Sequence, residues 1–296
     1  MAIIECVPNF SEGKDPGKVE KIAASAAAVP GVKVVDVNAD RDHHRSVLTF
    51  IGTPDKIVEA AMAAAQTAIE LIDIKLHVGV HPRVGAVDVV PFVPLAGATM
   101  SEAVNCAREF GQKLATKFDL PVFLYGEAAR SELHRELSRL RQGGLEGLSR
   151  RLARGEMVPD FGPRTLNERS GATVVGARLP LIAYNVNLDS GDVELARRIA
   201  KCVRERDGGL PGVKALGLYL PSRGIAQVSM NITDYRLSPL LEVFRRVEEE
   251  AAKAGVKILS SELIGLAPAE ALSPEIARQI HLRSFSPRMI IEHHLL

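Results

Sequence analysis

The sequence predicts an α/β (α+β) protein built from two ferredoxin-like βαββαβ subdomains, and two observations carry that expectation. Strand-like and helix-like apolar periodicity alternates in the order β-α-β-β-α-β from the N-terminus, and the same order starts again near residue 179. Across 296 residues, 46% of them hydrophobic, each of two subdomains, 1–178 and 179–296, has enough chain for its own core. No residue-level repeat accompanies the recurrence, so the symmetry is architectural. Two such subdomains packed together make a central ligand cleft the expected binding place.

Residues 3–7 read as a strand, 17–29 as a helix ended by Pro30-Gly31, and 32–37 and 46–51 as strands rich in β-branched residues. Thr53 is placed to cap a helix with Pro54 in its first turn. Ile57, Ala61, Ala64, Ala68 and Leu71 then recur at helical spacing and give one apolar stripe. Residues 87–93 return as a strand and complete the first pass. Thr99 and Glu102 make a capping box ahead of a helix with Val104, Ala107, Gly111, Leu114 and Phe118 along one side, and 121–125 is a short strand. From 127 to 154 the pattern is helical, polar and rich in arginine, and reads as a solvated face. The second pass places strands at 181–188, 215–220 and 225–232, helices at 192–206 and 239–254 with Ser238 as N-cap, and a closing strand at 257–259.

Charge narrows the function. Lys and Arg number 37 against 36 Asp and Glu, a net +1 that argues against a duplex nucleic-acid binder. The arginines of 135–154 are diluted by Glu136 and Glu146, and no aromatic residue interleaves them for base stacking. Cys6, Cys106 and Cys202 are far apart and form no CxxC pair, which fits a reducing compartment. With neither an export-signal pattern nor a membrane-length apolar run, a cytoplasmic protein with no membrane partner is expected. P-loop, dinucleotide-binding, nucleophile-elbow and zincin motifs are missing from the sequence.

Three segments could carry chemistry. In Leu76-His-Val-Gly-Val-His81-Pro-Arg-Val-Gly85, Pro82 pushes His81 out of the helical region, while Gly79 and Gly85 permit turns. An imidazole held there beside Arg83 suits general acid/base work, although a loop histidine that bonds only its neighbours has the same signature. A metal pair of His77 and His81 needs a helix that Gly79 and Pro82 disfavour, and no third ligand follows. In Asn38-Ala-Asp-Arg-Asp-His43-His44-Arg45, side chains that bond their own backbone explain a turn, and two histidines beside two carboxylates also suit proton transfer or a metal. Strand alternation puts Asn185 with Asn187 on one face, and Gln227, Ser229 and Asn231 on another. Solvent would satisfy such faces, and so would a heterocycle or an amino-acid carboxylate. Residues 158–163 and 170–176 are Pro/Gly-rich and serve either as linker or as backbone N–H donors to a ligand.

Cys6-Val-Pro-Asn9-Phe-Ser-Glu-Gly13, His81-Pro-Arg-Val-Gly85 with Asp88 and Pro91-Phe92, Tyr125-Gly-Glu-Ala-Ala-Arg130, Val158-Pro-Asp-Phe-Gly-Pro163, Asn185-Val-Asn-Leu188 and Ala226-Gln-Val-Ser229 closely resemble the glutamate formimidoyltransferase family, the transferase half of formimidoyltransferase-cyclodeaminase. The resemblance runs from Ile3 to about Leu272. It implies transfer of the formimidoyl group of N-formimidoyl-L-glutamate to tetrahydrofolate in histidine degradation. It further implies a cytoplasmic homodimer, with tetrahydrofolate as co-substrate and no metal. By motif match the catalytic histidine falls on His81 and the folate loop on Gly162 to Gly171, which includes Pro163, Arg164, Thr165 and Ser170. Asn9, Asn38, His44, Arg45, Arg83, Asn185, Asn187 and Gln227 fall among substrate or folate contacts.

The chain departs from the family pattern near this site. Val78 and Val80 stand where the family has Lys and Glu, Asn38 where it has Asp, His44 where it has Asn, and Ser170 where it has an aromatic residue. These changes alter how a charged formimidoyl group would be held and how His81 is tuned. Two alternatives follow: formyl transfer between N-formylglutamate or 5-formyltetrahydrofolate and folate or glutamate, and a folate-binding protein without catalysis.

Overall fold

A computed structural model describes residues 1–295; Leu296, the last residue of the expected second subdomain, lies outside the described residues. The chain divides into two compact units, Met1–Arg178 and a second from Leu179 onward.

The first unit opens with β1 (Ile4–Cys6) and β2 (Asn9–Phe10), one strand interrupted around Pro8. It continues through α1 (Pro16–Ala27), β3 (Lys33–Asp40), β4 (Arg45–Gly52), α2 (Pro54–Leu71) and β5 (Val87–Pro94). In space β3 pairs with β4, β4 with β1 and β2, and these with β5, all antiparallel, which is the ferredoxin-like order. Then come α3 (Met100–Phe118), begun by the expected Thr99–Glu102 capping box, and β6 (Val122–Gly126). After α4 (Glu132–Arg135), α5 (Leu137–Leu140) and α6 (Gly144–Ala153), β7 (Thr173–Ala177) inserts parallel between β5 and β6.

Strand alternation decides what each face of this sheet does. Ile4, Cys6, Phe10, Leu48 and Phe50 turn to the helices and form one core with Ile57, Ala61, Phe110 and Leu114. Glu5, Asn9, Arg45 and Thr49 occupy the alternate positions and are left for the opposite face.

The second unit repeats the plan with β8 (Ile182–Leu188), α7 (Val193–Val203), β9 (Val213–Leu220), β10 (Ile225–Ile232), α8 (Leu240–Lys253) and β11 (Ile258–Ile264), in the sheet order β11-β8-β10-β9. The short α9 (Pro274–Gln279) follows, and Ala277 and Ile280 join the core of Tyr184, Val228, Ile199 and Phe244.

Several expectations need correction. The 127–154 stretch is three short helices: Glu136 is extended between α4 and α5, and Gly143 and Gly144, at φ of 75° and 62°, separate α5 from α6. It is not simply a solvated face: Leu140, Leu148 and Leu152 are buried against Phe123, Tyr125 and Val174. Burying each leucine is worth about 2 kcal/mol, enough to orient a mostly polar segment. The strand expected at 32–37 runs on to Asp40, since the hairpin needs only residues 41–44 for its turn. The closing strand runs to Ile264 rather than 259, because Ser260 and Glu262 pair beside Asn187 and Asn185. Pro239, not Ser238, is the N-cap of α8; the Ser238 hydroxyl donates to the Pro211 carbonyl at 2.7 Å. No helix among the described residues is long and apolar enough to cross a membrane.

Candidate active site

The face of the first sheet opposite the α1–α3 core, part of which α4–α6 cover, gathers the polar residues. Asn9 and Asn38 both stand opposite Val47 in β4, and Arg45 lies two residues along the same face. One Arg45 amino group donates to the Asn9 side-chain oxygen, and the other reaches His81. Asn38 donates to Asp36 at 2.6 Å, a bond along its own strand. The β3–β4 turn is tied by the Asp40 carboxylate, which accepts from the His43 N–H at 2.7 Å, and it leaves His44 at φ 50°.

The segment between α2 and β5 carries His81 and is held against that turn. Val80 N–H donates to the Asp42 carbonyl at 3.1 Å, and the His77 ring donates to the His44 carbonyl at 2.7 Å. His44 stacks on His77 with ring centroids 4.2 Å apart, its Nδ1 3.0 Å from the Val78 carbonyl and its Nε2 3.2 Å from Glu12. Only glycine fits at position 79, where a Cβ would lie 2.4 Å from the His43 carbonyl oxygen. Past His81, Ala86 N–H donates to Ser170 O and Ala172 N–H to Val84 O, both at 2.9 Å. A Cβ on Gly85 would meet Ala172 O at 1.9 Å, so the expected folate loop is zipped to the His81 loop by direct backbone approach.

Partners fix the state of His81. Its Nδ1 lies 2.9 Å from the Pro82 carbonyl, which can only accept, so Nδ1 carries the proton. The Arg45 guanidinium can only donate, and one of its amino groups lies 2.7 Å from Nε2 and 2.9 Å from Nδ1; with the Nδ1 proton turned to Pro82, Nε2 is the nitrogen whose lone pair meets it. Burial, then the charges of Arg45, Arg141 and His43, keep the imidazole well below its usual range. His81 is thus a neutral ring with its basic nitrogen against a cation. Burial also brings Arg45 down to about 9.

Other charges surround this pair. Asp88 accepts from Val84 N–H at 2.8 Å and from the Arg141 guanidinium. Arg83 donates to the His77 carbonyl at 3.2 Å. Burial lifts Glu5 to about 7 against the opposing charge of Arg178, and burial pushes the Tyr125 phenol up although it bonds Arg178. The Nε atoms of Arg45, Arg83 and Arg141, and Nδ1 of His77, are buried with no hydrogen-bond partner.

The structure therefore brings Asn9, Arg45 and His81 into direct contact, with His44 and Arg83 bracing the loop. Gly162, Arg164 and Thr165 are exposed and Pro163 is partly so, whereas Ser170 and Gly171 are buried where the loop meets residues 84–86. In the second unit Asn185, Asn187 and Gln227 are buried, against the expectation that solvent satisfies such a face. The Gln227 amide donates to Asn187 at 2.9 Å, and Asn187 donates to Glu262 at 2.9 Å and to Ser260 at 3.1 Å. Among the described residues no group of three or more His, Cys, Asp or Glu is placed to hold a metal ion. Glu5 and Arg141 escaped sequence reasoning. Glu5 left only the signal of a lone carboxylate between buried Ile4 and Cys6, and Arg141 was hidden among neighbouring arginines.

Two family models match the chain: the formiminotransferase domain, N-terminal subdomain, over residues 3–178, and the formiminotransferase domain over residues 183–286. The chain is 39% identical to the glutamate formimidoyltransferase of Streptococcus pyogenes serotype M1 over 99% of both chains. It is 41% identical to the protein of that name from Thermoplasma acidophilum, over 99% of this chain and 97% of the other. Against the formimidoyltransferase-cyclodeaminase of Gallus gallus the identity is 45%, over 91% of this chain and 51% of that longer protein.

Proposed function

Because the chain belongs to the formiminotransferase family, we propose that it transfers the formimidoyl group of N-formimidoyl-L-glutamate to tetrahydrofolate, giving 5-formimidoyltetrahydrofolate and L-glutamate, a step of histidine degradation. The observation that carries the chemistry is His81: a neutral imidazole, lone pair on Nε2, on a loop braced at both ends.

N5 of tetrahydrofolate attacks the amidine carbon as His81 Nε2 takes the N5 proton. The N5–C bond forms and the C=N bond becomes single. Collapse restores the double bond, breaks the bond to the glutamate nitrogen, and returns the proton from His81 to that leaving amine. The ring ends as it began, so no covalent enzyme intermediate is needed and the proton count balances. Arg45, which covers Nε2, must yield that nitrogen when substrate arrives. We assign Asn9, Asn38, His44, Arg45 and Arg83 to the donor side. Folate is assigned to Gly162, Pro163, Arg164, Thr165, Ser170 and Gly171. Tetrahydrofolate is a co-substrate in this scheme, and the protein works as a cytoplasmic homodimer.

A formyl donor is the second reading. The charged side chains that weigh most on His81 are the guanidiniums of Arg45 and Arg141, and Asn38 puts an amide where the family has a carboxylate, an environment less suited to an amidinium than to a neutral formamide.

The test is to supply tetrahydrofolate with N-formimidoylglutamate or N-formylglutamate in separate reactions and to resolve the folate products by mass. A 5-formimidoyl product that His81→Ala abolishes, with tetrahydrofolate affinity retained, is the expected result. Formyl transfer alone would replace the donor. Wild-type turnover in His81→Ala would remove the histidine from the mechanism, and folate binding without any product would make the chain a binder.

A further inference from the structure

Among the described residues Arg45 makes no direct ion pair. Its hydrogen bonds run to His81, held neutral, and to the amide oxygen of Asn9, and its buried Nε–H meets no acceptor. Nearby, Arg141 is only 11% exposed in its side chain and spends one amino group on Asp88, while its Nε–H is also buried without a partner. Asp88 is fully committed, one oxygen to Val84 N–H and the other to Arg141. Two guanidiniums thus share one carboxylate, and the charge of Arg141 is felt at both Arg45 and His81. A buried cation without an anion is unfavourable unless a ligand supplies one.

We propose that Arg45 and Arg141 form a carboxylate subsite beside His81, filled by the α-carboxylate of the amino-acid donor. This rests on the transfer reading above. In N-formimidoyl-L-glutamate the α-carboxylate and the nitrogen that leaves are separated only by the α-carbon. A guanidinium in contact with the ring that protonates that nitrogen stands where the α-carboxylate must fall. The γ-carboxylate and the glutamate tail of folate lie further along their molecules from the reacting atoms. Arg141 offers its free Nε and amino groups in the fork that suits a carboxylate, and Asp88 orients it through its other arm. The incoming carboxylate also gives Arg45 a partner, which is how Nε2 of His81 is released to act as a base.

The experiment compares wild type, Arg141→Met and Arg141→Lys with two donors, N-formimidoyl-L-glutamate and N-formimidoyl-γ-aminobutyrate, which is the same donor without its α-carboxylate. Each is paired with tetrahydrofolate and with tetrahydropteroate, which lacks the glutamate tail. Wild type should favour the glutamate donor in kcat/KM by about tenfold or more, and Arg141→Met should lose that preference while its KM for tetrahydrofolate holds. Arg141→Lys, which keeps the charge, should recover part of it and serves if the Met variant does not fold. An unchanged donor preference in a folded variant overturns the proposal. Loss of the tetrahydrofolate-over-tetrahydropteroate preference instead moves the subsite to the folate tail and overturns the donor assignment. Calorimetry with L-glutamate and γ-aminobutyrate separates this proposal from the transfer reading. If wild type makes no formimidoyl product yet binds L-glutamate more tightly, and Arg141→Met erases the difference, the transfer reading fails and the subsite stands. Equal binding of the two amino acids by wild type ends the proposal.

Discussion

Asp88 is 2% exposed and holds the two halves of the site together, so removing its carboxylate has a calculable effect. Asp88→Ala deletes the acceptor for Val84 N–H, bonded at 2.8 Å, and the partner of Arg141, whose side chain is only 11% exposed. Breaking a buried ion pair from one side costs about 3–5 kcal/mol, because the remaining charge is stranded. An orphaned buried N–H costs about 1–3 kcal/mol. The two belong to one network and are not additive, so the expected loss is about 4–6 kcal/mol. Most of it is attributed to Arg141 and should be recovered in Asp88→Ala/Arg141→Met, where no cation is stranded. The chain has no Trp, so urea unfolding is best followed by far-UV circular dichroism. A double variant no more stable than Asp88→Ala alone would refute the reasoning, since the stranded charge would then not be the cause.

Glu5 gives a pH-dependent counterpart. Its folded value of about 7 lies above the ordinary 4.5, so folding is favoured by the retained proton below 4.5, and that advantage is lost as pH rises through about 7. The difference amounts to at most about 3 kcal/mol, and Glu5→Gln should gain stability of that order at about pH 8. The same variant should change little near pH 4.5; equal gains at both pH values would mean that ionisation plays no part. Catalysis should show the opposite kind of tolerance to acid. Burial, Arg45, Arg141 and His43 depress His81, and the neutral ring is the working form. kcat/KM should therefore persist as pH falls through 6.5 and drop only below it. An acid limb at or above 6.5 would contradict the assigned state of the base.

Much of this architecture was legible because it rests on local periodicity. Each βαββαβ pass could be read from alternating and helical apolar spacing, and the Thr99 cap and the Pro54 start came from short-range rules. The same spacing could not separate burial from solvation on a polar face. Asn187 and Gln227 alternate as exposed residues do, yet they are buried because their amides bond each other and Glu262, which lies far along the chain. The 127–154 stretch misled for a related reason: the leucines at 140, 148 and 152 are outnumbered in sequence by polar residues and yet decide the packing. At the site, His81, Arg45 and Asn9 came into view through motif resemblance. Arg141 did not, because its meaning is its contact with Asp88, 53 residues away.

The unpaired charge around His81 ties stability and function together. A sequence optimised only for folding would replace Arg45 by a neutral residue, since its guanidinium brings no ion pair and leaves a buried N–H without an acceptor. Keeping it makes the empty site less stable than it needs to be and makes binding of an anion more favourable by the same account, because the ligand completes what folding left open. Arg45 also occupies the lone pair of His81, so the unliganded enzyme holds its base covered. Arrival of a carboxylate then frees that base at the moment a substrate is there to use it. Binding and activation are thereby one event at one guanidinium, and the sheet face opposite α1–α3 can supply it because β4 turns Leu48 and Phe50 inward and leaves Arg45 out of that core.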